Sequence, residues 1–304
     1  MNINWFPGHM ARALREIRQM LSQVDLVIET CDARIPLSSR NPELAQILQG
    51  KPGILVLNKA DLADPAVTQR WQEVYRQSGL NAIPCDSIRR SGLRQVVSLA
   101  QQLTREKQER AKAKGRVFRP IRIMVVGIPN TGKSALINGL SSRKAALTAD
   151  KPGVTRHLSW IRTGGQLELL DSPGVLWPKI AGRQQQLHLA ATGAIRDDLL
   201  SQEEIAAATF IELLSCYPQL LQQRYKIDPA ADRTSLQNME DAARNRGCMI
   251  SGGKADMTRF AVLFLDELRN GRIGRISLEH PDREPEKPKD NRSEPDANAD
   301  KLER

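Results

Sequence analysis

Residues that build cross-linked or metal-bound proteins are scarce in this chain of 304 amino acids. It contains four cysteines and four histidines, and neither a CxxC nor an HExxH spacing occurs among them. This scarcity argues against a disulfide scaffold, a zinc framework and a transition-metal site. We expect reduced thiols in or near the core of a cytosolic protein, at Cys31, Cys85, Cys216 and Cys248.

Long apolar runs and aromatic side chains are scarce as well. No apolar run approaches the roughly 20 residues that a membrane-spanning helix needs. The first seven residues lack the basic-then-apolar order of a signal peptide. We therefore expect a cytoplasmic protein with no membrane partner. Aromatic residues make up only 4% of the chain, too few for a platform on which single-stranded bases stack.

Positive charge, in contrast, is abundant and unevenly distributed. The net charge is +10, with 39 basic and 27 acidic residues before Pro281 and 6 basic and 8 acidic residues from there on. A body this basic suits a polyanionic partner that binds through its phosphates, and a cationic surface kept for solubility is the alternative. Residues 281–304 are rich in Pro, Asp, Glu and Lys and are predicted to be disordered.

Alternating patterns predict an α/β fold with a mostly parallel sheet and helices on both faces. Strands are predicted at 26–28, 54–57, 82–85, 121–126, 158–162 and 167–170. One helix is predicted before the first strand, at 11–23, and others are predicted between the strands at 41–49, 65–78, 93–114 and 133–139. Three more are predicted after the last strand, at 202–215, 234–246 and 256–270. The change of pattern predicts one domain over 1–180, an all-helical domain over 181–280 and a charged tail over 281–304.

The clearest motif is GIPNTGKS at residues 127–134. It fits G-x-x-x-x-G-K-[ST] and lies between a predicted strand and a predicted helix, as a phosphate-binding loop requires. In such a loop, backbone N–H groups face the phosphates, the lysine bridges the β- and γ-phosphates, and the hydroxyl binds Mg²⁺. The predicted nucleotide contacts are Pro129, Asn130, Thr131, Gly132, Lys133, Ser134 and Ala135.

A second motif, NKAD at residues 58–61, follows directly after a predicted strand and has the pattern with which GTPases read guanine. The carboxylate of Asp61 can accept hydrogen bonds from N1–H and the exocyclic amine of guanine, which adenine cannot offer, so an ATPase is disfavoured. Asn58 is expected to contact the base from the other side, and the stem of Lys59 to pack on the ring. The loop after the third strand is expected to reach guanine O6 through its backbone. The predicted guanine contacts are Asn58, Lys59, Ala60, Asp61, Asp86 and Ser87.

A third motif, DSPG at residues 171–174, has the DxxG pattern. Its aspartate is expected in the Mg²⁺ shell, and the N–H of Gly174 is expected to contact the γ-phosphate. Thr155 lies between this motif and the phosphate loop, and it is the candidate switch threonine that binds Mg²⁺ beside GTP. An ordinary loop residue is the alternative for Thr155. The predicted metal ligands are Ser134, Thr155 and Asp171.

The order of these motifs is unusual, because NKxD precedes the phosphate loop where an ordinary GTPase has the reverse. A fold in which each motif caps a strand of one sheet tolerates such a permutation. The chain resembles the circularly permuted YlqF-type GTPases, close to the ribosome biogenesis GTPase A group. The resemblance rests on this order, on the motifs GIPNTGKS, NKAD and DSPG, and on the opening WFPGHM at residues 5–10. The resemblance covers residues 1 to about 280, so the 1–180 domain is predicted to be a circularly permuted P-loop GTPase domain.

The resemblance implies a GTP-hydrolysing switch that helps to mature the large ribosomal subunit, with GTP or GDP, rRNA and ribosomal proteins as partners. It also implies stimulation by the assembling particle and by K⁺, with Asn130 suited to the monovalent ion, and we expect a monomer when the protein is free. An RNA-binding scaffold in which hydrolysis only times release is the alternative. The chain departs from the family pattern at Thr131, at Arg12 and in its charged tail.

The residue that positions the attacking water is not evident from the DxxG motif. It is followed by Val175, which cannot hydrogen-bond a water, where many GTPases have glutamine. In the resembled family the histidine of the opening motif is the favoured substitute, which here is His9. The alternative is that His9 packs against the protein or binds a partner.

Overall fold

The structure, a computed structural model, describes residues 3–4, 8–115, 119–141, 158–163, 165–180, 182–195, 200–229 and 232–282. The strands within these ranges are β1 (Ile3–Asn4), β2 (Leu26–Asp32), β3 (Gly53–Asn58), β4 (Asn81–Cys85), β5 (Ile121–Gly127), β6 (Ser159–Arg162), β7 (Leu167–Asp171) and β8 (Lys179–Ile180). Six strands form a central sheet in the spatial order β4-β3-β2-β5-β7-β6, and β1 pairs with β8. The central strands run parallel except for β6, which is antiparallel to β7 at one edge.

The helices of the described ranges follow the strands in alternation and then continue without them. They are α1 (Gly8–Met20), α2 (Pro42–Ile47), α3 (Pro65–Gln77), α4 (Leu93–Ala113), α5 (Lys133–Leu140), α6 (Arg183–Ala191), α7 (Gln202–Cys216), α8 (Pro218–Tyr225), α9 (Ser235–Asn245) and α10 (Met257–Arg269). Every predicted helix and strand is confirmed. Four of the described elements were not predicted: the paired strands β1 and β8, the helix α6, whose run of glutamines hides its periodicity, and the short helix α8.

Both faces of the central strands are covered, which is why residues that point to either face are buried. All seven residues of β2 are buried. Its consecutive side chains point to opposite faces. Ile28 packs with Val96 of α4 and Leu136 of α5, whereas Val27 belongs to a second cluster with Ile17 of α1.

The helices after residue 182 pack around a group of buried aromatic rings. Phe210 lies 5.6 Å from Phe264 and 6.2 Å from Tyr225 between ring centroids. The apolar cluster to which these rings belong also contains Ile17 of α1 and Met124 of β5. The change from sheet to helices therefore occurs within one continuous core, and the division into domains at residue 180 stays a prediction.

Two expectations from composition bear on the fold. None of the four cysteines, all of which the structure describes, is in a disulfide, and three of them are buried. Among the described residues, none of the helices combines the length and the apolar character that crossing a bilayer requires. The predicted tail covers 281–304, and from residue 283 onward it lies outside the described residues.

Candidate nucleotide-binding site

Four sequence motifs meet at one edge of the central sheet, because each follows the carboxyl end of a parallel strand. β5 ends at Gly127, the first residue of the phosphate loop, and β7 ends at Asp171, the first residue of the DxxG motif. β3 ends at Asn58, and β4 ends at Cys85, just before the second loop predicted to contact guanine. Ligands bind at this edge in open parallel sheets. The reversed order of the motifs along the chain therefore does not separate them in space.

The backbone of the phosphate loop has the tight curvature that its motif requires. Gly132 has a φ of 86° and Gly127 a φ of 151°, which residues with a Cβ rarely adopt. A Cβ at Gly132 would lie 2.1 Å from Nδ2 of Asn58, and one at Gly127 would lie 2.6 Å from the carbonyl oxygen of Thr30. α5 begins directly afterwards at Lys133. The curled backbone and the helix N-terminus together form a cradle for anions.

Lys133 is buried in this cradle, with 7% of its surface exposed. Its Nζ donates a hydrogen bond to the carbonyl of Ile128 at 2.8 Å. Burial lowers the pKa of Lys133 to about 8, the Asp171 carboxylate opposes this shift, and the charge of Lys59 adds to it. Phosphate oxygens beside Nζ would supply the negative charge that favours a protonated lysine at a buried position.

The DxxG segment lies directly against the phosphate loop. A Cβ at Gly174 would lie 2.9 Å from Cα of Pro129 and 3.0 Å from Nζ of Lys133, so glycine alone permits this approach. The next residue, Val175, donates its N–H to the carbonyl of Gly127 at 3.2 Å, and its side chain is 0% exposed. Val175 therefore faces the core and not a water beside the phosphates.

Two of the three predicted Mg²⁺ ligands lie within the described residues. Asp171 is 3% exposed at the end of β7, and Ser134 is the second residue of α5. Their oxygen atoms are of the hard type that Mg²⁺ prefers, so the donor set fits this ion. Thr155 and the side chain of His9 lie outside the described part of the chain. In that part, no group of three His, Cys, Asp or Glu residues could hold a metal by itself.

Asn58 joins the phosphate loop to the loop after β4, a position that the sequence did not predict. Its Nδ2 donates to the carbonyl of Thr131 at 2.8 Å. Its Oδ1 accepts from the hydroxyl of Ser87 at 2.7 Å and from the N–H of Ser87 at 3.3 Å. The residue is 2% exposed. The side chain that was expected to contact the base thus ties three loops of the site together.

Lys59 is held by a buried ion pair at the end of β2. Its Nζ lies 3.1 Å from Oδ2 of Asp32. Arg34 binds the same carboxylate through Nε at 2.9 Å and Nη2 at 2.8 Å, and its Nη1 donates to the carbonyl of Leu268 at 3.2 Å. Burial acts to raise the pKa of Asp32, but Arg34 and Lys59 outweigh it and hold the pKa well below its usual range. Asp32 and Arg34 were not predicted as site residues, and their signal in the sequence was a polar pair at the end of a strand.

Asp61 remains accessible at the same edge, with 27% of its side chain exposed. The guanidinium of Arg89 lies 3.5 Å from Asp61 and 3.6 Å from Asp86. Asp86 accepts from two N–H groups of its own loop, so its side chain shapes the turn. The N–H of Ala60 donates to the carbonyl of Cys85 at 3.0 Å and so fastens the two predicted guanine loops to each other.

Asn130 and Thr131 connect the phosphate loop to its surroundings. Asn130 has a φ of 59°, and its Nδ2 donates to the carbonyl of Gly193, just after α6, at 2.6 Å. Arg269 at the end of α10 donates to the last two carbonyls of α6 at 2.8 and 3.1 Å. The hydroxyl of Thr131 lies 2.7 Å from that of Thr30 and is buried. The phosphate loop thus contacts the helical part of the protein directly.

Comparison with known proteins agrees with this geometry. A sequence model of the family described as 50S ribosome-binding GTPase matches residues 122–213. Ribosome biogenesis GTPase A of Priestia megaterium is 45% identical over 283 residues, which cover 92% of this chain and 98% of that protein. The protein of the same name from Bacillus pumilus is 41% identical over 282 residues, which cover 93% of this chain and 100% of that protein. The crystal structure of GNP-bound YlqF from T. maritima matches with a TM-score of 0.60 and 26% identity, over 90% of this chain and 100% of that chain.

The likeness extends over both the motif-bearing sheet and the helices that follow it. The family model covers the phosphate loop and the DxxG motif but begins after NKAD, as the permuted order requires. The two bacterial relatives match along nearly their whole length and along more than nine tenths of this chain. The chain therefore belongs to the ribosome biogenesis GTPase A family, and it is a GTP-hydrolysing enzyme of ribosome biogenesis.

Proposed function

We propose that this protein is a molecular switch in the maturation of the large ribosomal subunit, which hydrolyses GTP to GDP and phosphate when the assembling particle stimulates it. The observation that supports this most is the joining of the phosphate, DxxG and guanine loops at one sheet edge. Asn58 connects the phosphate loop to the guanine loop after β4, and Gly174 of the DxxG loop lies against the phosphate loop. A site assembled in this way can hold the phosphates and the base of one nucleotide at once.

The residues at this edge of the sheet have different proposed roles. Lys133 would bridge the β- and γ-phosphates, and the N–H of Gly174 would contact the γ-phosphate. Ser134, Asp171 and Thr155 would hold the Mg²⁺ that accompanies the nucleotide in GTPases of this kind, where the ion neutralises charge on the phosphates. K⁺ is proposed as an activator near Asn130.

His9 is the proposed residue that orients the attacking water. The burial of Val175 supports this assignment, since the residue after DxxG lies in the core and another residue must orient the water. His9 lies in the first turn of α1, and Met10 of the same turn is buried against the core. A neutral imidazole can both donate and accept a hydrogen bond, which suits the positioning of a water.

The proposed partners are rRNA and ribosomal proteins of the large subunit. The names of the relatives refer to ribosome biogenesis, and the name of the matching family refers to 50S ribosome binding. The 39 basic and 27 acidic residues before Pro281 favour contact with phosphates. We further propose that the protein is a monomer when it is free.

Co-sedimentation with large ribosomal subunits tests this function. We expect more binding with a non-hydrolysable GTP analogue than with GDP, and less binding at higher salt, because phosphate contacts release counterions. Equal binding with both nucleotides would contradict the switch. If Lys133→Ala abolished nucleotide binding but still supported subunit assembly, the scaffold role would replace it.

A further inference from the structure

The segment that follows α10 returns to the sheet and lies along the guanine loop. We call Gly271–Glu279 the strap. The N–H of Ile276 donates to the carbonyl of Leu62 at 2.9 Å, and the N–H of Leu278 donates to the carbonyl of Arg34 at 2.9 Å. Ile276 is 1% exposed and Leu278 is 3% exposed. The strap is therefore anchored to the loops that follow β2 and β3 by its backbone, and its apolar side chains are buried.

Arg275 of the strap spans the turn that presents Asp61. Its Nε donates to the carbonyl of Ala63 at 3.0 Å, and its Nη2 donates to the carbonyl of Ala60 at 2.9 Å. These two carbonyls lie on either side of Asp61 along the chain. A planar guanidinium with two fixed donors suits a pair of carbonyls, which a lysine ammonium cannot match in the same geometry.

Further contacts fix the far side of the same turn. The hydroxyl of Ser277 accepts from the N–H of Asp64 at 3.2 Å, and Tyr217 of the turn after α7 donates to the Asp64 carboxylate at 3.2 Å. At the start of the strap, Gly271 has a φ of 69°, and a Cβ there would lie 2.7 Å from Cδ2 of Leu62. The strap thus encloses the turn from Ala60 to Asp64.

Within the described ranges, the ion pair that the side chain of Asp61 forms is with an exposed arginine. The nearby Arg89 lies 3.5 Å away and is 75% exposed at its side chain. Ion pairs this exposed contribute little to the position of either partner. The direction in which the Asp61 carboxylate points therefore depends on its backbone, which the strap holds.

We propose that Arg275 is a positioning residue for guanine recognition, so that the strap of the helical part belongs to the base-reading site. The inference rests on the proposed contact between Asp61 and guanine. A partner that pulled the strap away from the turn would loosen the grip on the base and speed the release of nucleotide.

The test compares the affinities of the full-length protein for GDP and IDP, whose base lacks the exocyclic amine. IDP can make one of the two hydrogen bonds to Asp61, whereas GDP makes both. Arg275→Ala is expected to weaken GDP binding about tenfold, the scale of one hydrogen bond to a charged group, and to weaken IDP binding less. The preference for GDP over IDP should therefore fall, and Arg275→Lys should have an intermediate effect.

Arg272→Ala is the matched control in the same strap. Its Nη1 lies 3.3 Å from Oδ2 of Asp266, and both side chains are more than half exposed, at 59% and 56%. We expect this variant to keep the wild-type preference for GDP. Thermal unfolding of each variant separates a local effect from loss of fold, and Arg275→Lys supplies the comparison if the alanine variant does not fold.

The results for the variant and for the wild type distinguish a failure of the role of Arg275 from a failure of the guanine contact of Asp61. Suppose that the wild type prefers GDP, but that Arg275→Ala weakens the binding of GDP and IDP equally or weakens the binding of neither. In that case Arg275 does not position Asp61, and the inference is wrong. If the wild type binds GDP and IDP equally well, the guanine contact of Asp61 itself is refuted, and the inference is refuted with it.

Discussion

Replacing Asn58 by alanine should destabilise the protein strongly, although the residue belongs to a loop. The substitution removes the donor to the Thr131 carbonyl and the acceptor for Ser87, at a position that is 2% exposed. Each buried polar group left without a partner costs about 1–3 kcal/mol. With groups on two loops affected, we expect the free energy of unfolding to fall by about 3 kcal/mol.

Urea denaturation of the nucleotide-free protein measures this loss. Asn81→Ala is the matched control, because Asn81 is exposed and its Nδ2 donates to the carbonyl of Gly53 at 3.3 Å. We expect the control to change the free energy of unfolding by no more than about 0.5 kcal/mol. A loss below about 1 kcal/mol for Asn58→Ala, or one equal to the control, would refute the bridging role that we assign to Asn58.

Three further predictions concern titratable residues. Because burial lowers the pKa of Lys133 to about 8 from 10.5, Lys133→Met should stabilise the nucleotide-free protein at pH 7 by about 2–3 kcal/mol while abolishing nucleotide binding. Urea denaturation should show that this gain disappears as the pH rises from 8 towards 10.5. Burial acts to lower the pKa of His188, but hydrogen bonds with Glu212 and Glu279 outweigh it and raise the pKa to about 9. The stability from this protonation is complete below pH 6.5 and is lost as the pH rises from 6.5 to 9, so His188→Gln should cost about 3 kcal/mol at pH 6, progressively less between pH 6.5 and 9, and none of this amount above pH 9. His9→Ala should leave GTP affinity nearly intact but lower turnover strongly, and unchanged turnover on assembling subunits would remove His9 from the mechanism.

The sheet and the motif-bearing loops could be predicted because their signals are local. The run from Ile121 to Gly127 is apolar except for Arg122, and the motif at its end has a fixed spacing, so neighbouring residues suffice to place both. Similar reasoning placed NKAD after β3 and DSPG after β7. It did not require knowledge of which strands are neighbours.

The contacts that join these loops could not be predicted, because they depend on pairs of residues far apart in sequence. Arg34 contacts the carbonyl of Leu268, and Arg275 contacts that of Ala60, each across more than two hundred residues. Asn58 was assigned to the base because its motif is known for base recognition, and nothing near it in sequence indicates Thr131 as its partner. α6 was missed because its pattern lacks an apolar period, although it is buried by later helices.

The helical part of the protein contacts the two ends of the nucleotide site by separate attachments. At the phosphate end, Asn130 bonds to the carbonyl of Gly193, and at the base end Arg275 spans Ala60 and Ala63. Because these helices also share one buried core with α1 and β5, a displacement at either attachment would act on the helices as one packed unit.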